Sequence, residues 1–372
     1  MNCDNFLVRA YNVLICLVLL FVACDRNKSS NPPIIPQTAS FDGNDPMTVA
    51  KKGTFDELFK REEQITLAGD SLAPIFNFYR PLITTDKIFV CDYMAHTVSI
   101  YSKRGSLIKK FGKKGEGPGE FQMPYSFATD AQGNLYVNDR ANMRVQVYDS
   151  SLRFLRMMPM VGQNEIILVR NTPEKPNIVS VGTAPCGDGN CLLQEYDWKG
   201  KLIKAFAGYK TRFILFSWAA TQDGQNNIYL VNYLEQEIKV FDPNGELFRT
   251  VKLSSPSMRF LEAYDTEPKS MARLQAISKL LKEKEHTRVE ELHVDKDHIF
   301  VFLRLIRKAT DPMFILDIYN LEGNLLFYGI ETPGRLCYAK DRFYFANDDE
   351  TRQYGRVQIE GYQFMSNYKM IR

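Results

Sequence analysis

Four histidines, His96, His286, His293 and His298, are the only imidazoles in this 372-residue chain. A catalytic zinc needs three of them, or close substitutes, on one centre. No two stand at metal-ligand spacing on one element. The sequence places them on a loop, an insertion helix, an inner strand and a turn. A hard cation such as calcium would take oxygen ligands instead. Asp92, Asp139, Asn232 and Asn347 occupy similar ends of successive strand patterns, so an axial calcium is one use for them. Capping their own turns is the other and the preferred one, because Asp and Asn side chains accept from backbone N–H groups two residues on. No nucleophile has a legible partner base. The expectation is a protein with no catalytic residue and no cofactor, calcium being the single candidate.

The stretch "GKKGEGPGEF", residues 112–121, has the glycines and lysines of a phosphate-cradling loop. Such a loop requires Gly-Lys-Ser/Thr and a following helix, and neither is present. It reads instead as a connection, with Pro118 and Gly119 shaping a turn and Phe121 packing inward. Cys186 and Cys191 flank a Gly-Asp-Gly-Asn turn in "PCGDGNCLL", so their sulfurs could meet across a hairpin mouth. An exported protein permits that disulfide, while spacing alone does not fix connectivity. Cys91 and Cys337 lie in apolar strand patterns and read as buried thiols.

A repeat positions these groups. A strand ending in an aromatic residue, a turn, and a Leu/Ile-rich strand recur as "VSIYSKRGSLIKKFG", "VQVYDSSLRFLRMM", "LQEYDWKGKLIKAFA", "IKVFDPNGELFRTV" and "LDIYNLEGNLLFYG". The aromatic falls at Tyr101, Tyr148, Tyr196, Phe241 and Tyr319, with spacings of 47, 48, 45 and 78 residues. A second strand precedes each one ("KIFVCDY", "NLYVNDR", "NIVSVGT", "NIYLVNY", "HIFVFLR"), and a sixth copy, "RFYFAND", precedes "GRVQIEGYQF". Units of about 45 residues with four short antiparallel strands are propeller blades. The fold class is therefore all-β, a six-bladed β-propeller. The sixth unit lacks its outer strand, and "EEQITLAGD" at 62–70 is placed to supply it, closing the ring and removing an exposed edge.

The long spacing holds "YDTEPKSMARLQAISKLLKEKEHTRVEE". Asp265 or Thr266 can cap a helix there with Pro268 in its first turn. Met271, Leu274, Ile277 and Leu281 then form an apolar stripe. This helical insertion, about 265–287 between blades four and five, reads as a lid or partner surface over the channel.

Residues 1–23 form an expected signal peptide, with the apolar run Val13–Ala23 as its core. Residues 24–53 are a Pro/Ser/Asn-rich tether without periodicity, and 54–372 make the propeller. Hydrophobic residues are 45% of the chain, an ordinary globular value. A net charge of +3 gives no reason to expect nucleic acid as a partner. The end of the apolar run, "FVAC", resembles the lipobox of bacterial lipoproteins, which implies lipidation at Cys24. The stretch "GEGPGEFQMPYSFATDAQGNLYVNDRANMRVQVYD" looks like an NHL repeat. Signal, tether and six NHL-like blades together resemble the six-bladed β-propeller lipoproteins of Bacteroidetes. The resemblance implies the fold and a lipid-anchored place in the cell envelope, at the periplasmic or surface face of the outer membrane. It implies no reaction. Related propellers include calcium-dependent lactonases and zinc-dependent lyases, so an enzyme of that kind at the central channel is the alternative.

In such a blade the loops joining strands two and three share a face with the loops leading to the next blade. On that face the sequence gathers Tyr93, His96, Arg140, Arg144, Tyr233, Arg304, Arg307 and Arg352. Arginine forks and tyrosine faces suit glycans, carboxylates and peptides. The expected function is a non-catalytic, envelope-anchored module that binds a glycan, a peptide or an envelope protein partner at the channel mouth.

Overall fold

The computed structural model describes residues 50–67, 80–171, 175–186, 189–209, 218–233, 235–259, 271–307, 312–347 and 357–365. Cys24, the expected signal peptide and nearly all of the tether lie outside them, as does Arg352. The described chain opens with β1 (Lys51–Lys52), the short helix α1 (Phe55–Leu58) and β2 (Phe59–Leu67). Four-stranded antiparallel sheets follow. The first is β3 (Leu82–Ile83), β4 (Lys87–Asp92), β5 (Thr97–Ser102) and β6 (Leu107–Phe111). The second is β7 (Pro124–Thr129), β8 (Leu135–Asp139), β9 (Arg144–Tyr148) and β10 (Phe154–Pro159). The third is β11 (Gln163–Arg170), β12 (Asn177–Cys186), β13 (Gly189–Tyr196) and β14 (Leu202–Tyr209). The fourth is β15 (Trp218–Gln222), β16 (Ile228–Asn232), β17 (Glu237–Phe241) and β18 (Leu247–Lys252).

Helix α2 (Met271–Glu283) precedes the fifth blade, which is β19 (His286–Val294), β20 (His298–Ile306), β21 (Met313–Asn320) and β22 (Leu325–Glu331). β1 adds to its outer edge in parallel, Lys51 opposite Phe327. The sixth blade is β23 (Arg335–Ala339), β24 (Phe343–Asn347) and β25 (Val357–Phe364), and its outer strand is β2. β2 pairs antiparallel with β25, Phe59 opposite Phe364 and Ile65 opposite Ile359. The closing strand is thus supplied from the front of the chain, starting at 59 because α1 runs directly into it.

The core is divided into six seams, one between each pair of neighbouring blades. Ile65, Leu67 and Ile359 of the sixth blade pack with Ile83, Ile88 and Val90 of the first, which closes the ring. The repeated aromatics explain the period. Tyr101, Tyr148, Tyr196, Phe241 and Tyr319 are all buried. Each packs into the seam with the preceding blade. Burying a large aromatic removes roughly 150–250 Å² from water, so one per blade stitches each sheet to the last. The next residue caps the turn. Asp149, Asp197, Asp242 and Asn320 each accept from a backbone N–H four residues on, at 2.7–2.9 Å.

His286 does not end the insertion helix. It opens β19 opposite Ile306, because the alternating run "HTRVEELHV" pairs with the apolar β20 along its whole length.

Candidate functional site

The N–H groups of the glycine-rich loop are taken up within the loop and by Gln146 of β9. Gly115 N–H donates to Phe121 O at 3.2 Å and Phe121 N–H to Lys113 O at 2.8 Å. Gly117 N–H reaches Glu120 Oε2 and Gly119 N–H reaches Gln146 Oε1, each at 2.9 Å. Donors held in this way do not form an anion cradle. The loop carbonyls converge on Arg144, which bonds Gly117 O at 3.2 Å and Glu120 O at 2.9 Å, and also Glu116 O. Glycine is required at 112, where φ is +103° and a Cβ would stand 2.8 Å from both His96 O and the Phe121 ring.

Arg144 therefore faces into the loop. Its Nε donates to Asp139 Oδ2 at 2.8 Å. The fully buried Asp139 also accepts from Asn142 Nδ2 at 2.7 Å and from Gln122 N–H at 2.6 Å. The pair assembles the NHL-like turn. Asp92 accepts from Met94 and Ala95 N–H at 3.1 and 2.9 Å, capping its own turn.

The channel mouth is built on irregularities in the inner strands. β7 pairs Pro124 with Asp139 and Ser126 with Asn138, so Tyr125 is an extra residue. Glu165 is extra in β11, Glu290 in β19 and Cys337 in β23. A bulge re-aims the side chain at the extra position. Three of the four meet a charged or aromatic partner. The Arg140 guanidinium lies 4.8 Å over the Tyr125 ring and bonds Glu165 Oε1 at 3.2 Å. Tyr93 extends this array, its ring 6.4 Å from that of Tyr125. Residues of three successive blades thus form one aromatic–guanidinium–carboxylate row. Glu290 stands 3.7 Å from Arg304, whose guanidinium lies 5.8 Å from the Phe314 ring. Beside it Glu291 pairs with Arg80 at 3.0 Å. Burial raises the Glu291 carboxyl above its usual range, with Glu290 adding to the rise while Arg80 and Arg335 oppose it.

The remaining expected residues are held differently. His96 Nδ1 accepts from Met123 N–H at 3.3 Å. Tyr233 joins the sheet region through its carbonyl, which accepts from Val289 N–H at 2.9 Å. Arg307 reaches the Met313 sulfur at 3.7 Å. Asn232 is buried opposite Trp218, and Asn347 ends β24 opposite Gln358. His293 packs on Phe343 at 5.2 Å, and His298 faces Asp295 at 3.2 Å. Among the described residues no group of three or more His, Cys, Asp or Glu side chains is placed to share a metal ion. Of the four oxygen donors that could serve calcium, Asp139 is held by the Arg144 guanidinium and Asp92 accepts from the backbone of its own turn. Cys186 and Cys191 form a disulfide across the end of the β12–β13 hairpin. Tyr125, Glu165 and Glu290 were not among the expected residues. The signal for them is a polar or aromatic side chain breaking the alternation of an inner strand.

Residues 44–161, less than half of the chain, match the family described as 6-bladed beta-propeller. NHL repeat-containing protein 3 of Homo sapiens is 26% identical over 153 residues, 39% of this chain and 43% of that protein. Protein brain tumor of Drosophila melanogaster is 25% identical over 146 residues, 37% of this chain and 13% of that protein. The chain spans less than half the length of these curated relatives. Among solved structures, a protein of Bacteroides fragilis described as exported superposes with a TM-score of 0.60 at 12% identity, covering 85% of this chain and 98% of that one. The fold is a six-bladed β-propeller with NHL-type relatives. Among the described residues no helix is long and apolar enough to cross a membrane.

Proposed function

We propose that this protein is a non-catalytic binding module of the bacterial cell envelope, anchored to the membrane through lipidated Cys24 and binding at the channel mouth. Of the glycan, peptide and protein ligands considered, a peptide segment of a partner protein fits best. The observation that carries this reading is the row Tyr93–Tyr125–Arg140–Glu165. It displays ring faces, a stacked guanidinium and a carboxylate in fixed order. A peptide offers carbonyls, N–H groups and side chains of both signs to such a row. The arginine is already oriented by ring and carboxylate, so little side-chain freedom is lost on binding. The NHL-type relatives and an exported structural neighbour support the reading. No cofactor is proposed for it.

The test is selection of a displayed peptide library on the immobilised protein. Selected peptides should lose binding to Arg140→Ala and Glu165→Gln and keep it for substitutions on the outer strands. Peptides indifferent to both mouth substitutions would sink the reading. The anchor is tested separately by metabolic labelling with a fatty acid. Label should enter the wild type and not Cys24→Ala.

A further inference from the structure

The opposite face of the propeller, where strands one and two and strands three and four are joined, carries a cleft between blades two and three. Its volume is about 300 Å³. That is at the small end of ligand pockets and far larger than an inorganic ion needs. Trp198, in the turn between β13 and β14, forms one wall, and Pro176 another. Three cations surround the indole: Lys175 at 4.9 Å, Lys199 at 5.2 Å and Arg156 at 5.5 Å from its ring. Like charges gather here because the ring quadrupole attracts each of them. Together the three cations make this side of the cleft positive.

Among the described residues, the one acid lining the cleft, Asp130, is held by neutral donors and is outnumbered by the three cations. Asp130 Oδ1 accepts from Gln132 and Asn134 N–H at 3.0 and 2.8 Å. Its Oδ2 accepts from Asn134 Nδ2 at 2.7 Å and the Tyr136 hydroxyl at 3.0 Å. Four donors thus surround one buried carboxylate. Arg156 also bonds the Tyr136 hydroxyl, while its buried Nε meets no acceptor among the described residues. Asn171 Oδ1 accepts from Ala131 N–H at 3.0 Å, so the rest of that amide group is a donor. The cleft therefore combines a guanidinium fork, two ammonium groups and amide side chains around a space of sugar size.

We propose that this cleft binds a carboxylated sugar, a uronic acid either free or as a residue of a polysaccharide. The planar carboxylate matches the Arg156 fork with the lysines as secondary cations. The amides of Asn134 and Asn171 serve the ring hydroxyls. This site is independent of the channel mouth.

The experiment is titration calorimetry of the full protein with three probes: glucuronic acid, a hyaluronan tetrasaccharide and the neutral chitin tetrasaccharide. At least one of the first two binds, more weakly as salt is raised, and the neutral tetrasaccharide binds about tenfold more weakly or not at all, a difference of about 1.4 kcal/mol. Preference for the monosaccharide identifies a free sugar acid, and preference for the tetrasaccharide a polymer. Arg156→Gln and Lys175→Gln each weaken binding about tenfold, whereas Lys252→Gln on an outer strand of blade four leaves it unchanged. Lys175 is exposed, so its substitution reads binding even where Arg156→Gln disturbs folding. Failure of both acidic probes to bind, equal binding of the neutral one, or indifference to Lys175→Gln overturns the proposal.

Discussion

Arg144 Nε donates to Asp139 Oδ2 at 2.8 Å, and through the same guanidinium the loop from Gly115 to Phe121 is drawn onto the second blade. A lysine and glycine-rich segment thereby becomes a seam between blades one and two. The pair is nearly dry, with side-chain exposures of 12% and 0%. Removing one partner leaves the other charge buried.

Arg144→Ala is expected to destabilise the protein by about 3–5 kcal/mol, the scale for breaking a buried ion pair from one side. Arg144→Lys should recover little, because a point charge cannot reach the carboxylate and several carbonyls together. Urea denaturation of the three proteins checks this. A loss below about 1 kcal/mol for the alanine variant, as for an exposed pair, would show the loop is held by something else.

The closing strand gives a second expectation. Deleting residues 1–67 removes β2, leaves β25 as an open edge and strips Leu58, Phe59, Ile65 and Leu67 from two seams. The truncated chain should aggregate or lose its cooperative melt. Ile65→Ala alone should cost about 2–5 kcal/mol. A truncated chain that melts as cooperatively as the parent would falsify the closure.

The disulfide is a small effect by comparison. Cys186 and Cys191 are five residues apart, and closing so short a loop stabilises by about 2 kcal/mol at most on chain-entropy grounds. Mild reduction, or Cys186→Ala with Cys191→Ala, should lower the melting temperature slightly and leave the melt cooperative. Complete unfolding on reduction would contradict this.

Buried Asp317 and half-buried His293 oppose each other in their pH dependence. Burial pushes the Asp317 carboxyl up to about 6, with Ser255, Gly329 N–H and Ser257 only partly countering it. Its folded form holds a proton that the unfolded form has released, so its contribution to stability falls as pH rises from about 4 to 6. Burial against Phe300 and Phe343 pulls His293 down to about 4, with Asp295, Asp341 and the Lys340 backbone opposing. There the unfolded form takes the proton first, so stability falls as pH drops from about 6.5 to 4. Each effect is on the order of 3 kcal/mol. Relative to wild type, Asp317→Asn should lose stability more steeply on acidification through this window. His293→Gln should lose it less steeply. Denaturation midpoints at several pH values decide, and parallel profiles for all three proteins would refute both assignments.

The blades were legible because their signals are local. An aromatic followed by Ser, Asp or Asn marks the end of the third strand in five of the six blades. Burial of the ring and capping by the next residue are short-range consequences of those residue types. The missing outer strand was legible as an arithmetic deficit, one strand short at the end and one unassigned at the front. The mouth was less legible. Arg140 and Tyr93 were expected there, but Tyr125 and Glu165 owe their direction to bulges, which depend on how one strand registers against the next. Arg144 and Asp139 looked like rim residues from their positions, yet loop carbonyls 24 to 28 residues away turn Arg144 inward, and Asp139 is held by Arg144, Asn142 and Gln122 N–H.

Residue types and their spacing determined the all-β class, the number of blades, the turns and the strand that closes the ring, since each follows from periodicity, capping and the need to cover an edge. Which side chains face a ligand was decided by the tertiary structure. Most of the neighbours that orient Arg140, occupy Arg144 and surround Trp198 come from other strands or adjacent blades, and the packing of one blade on the next brings them within range of a hydrogen bond or a cation–π contact.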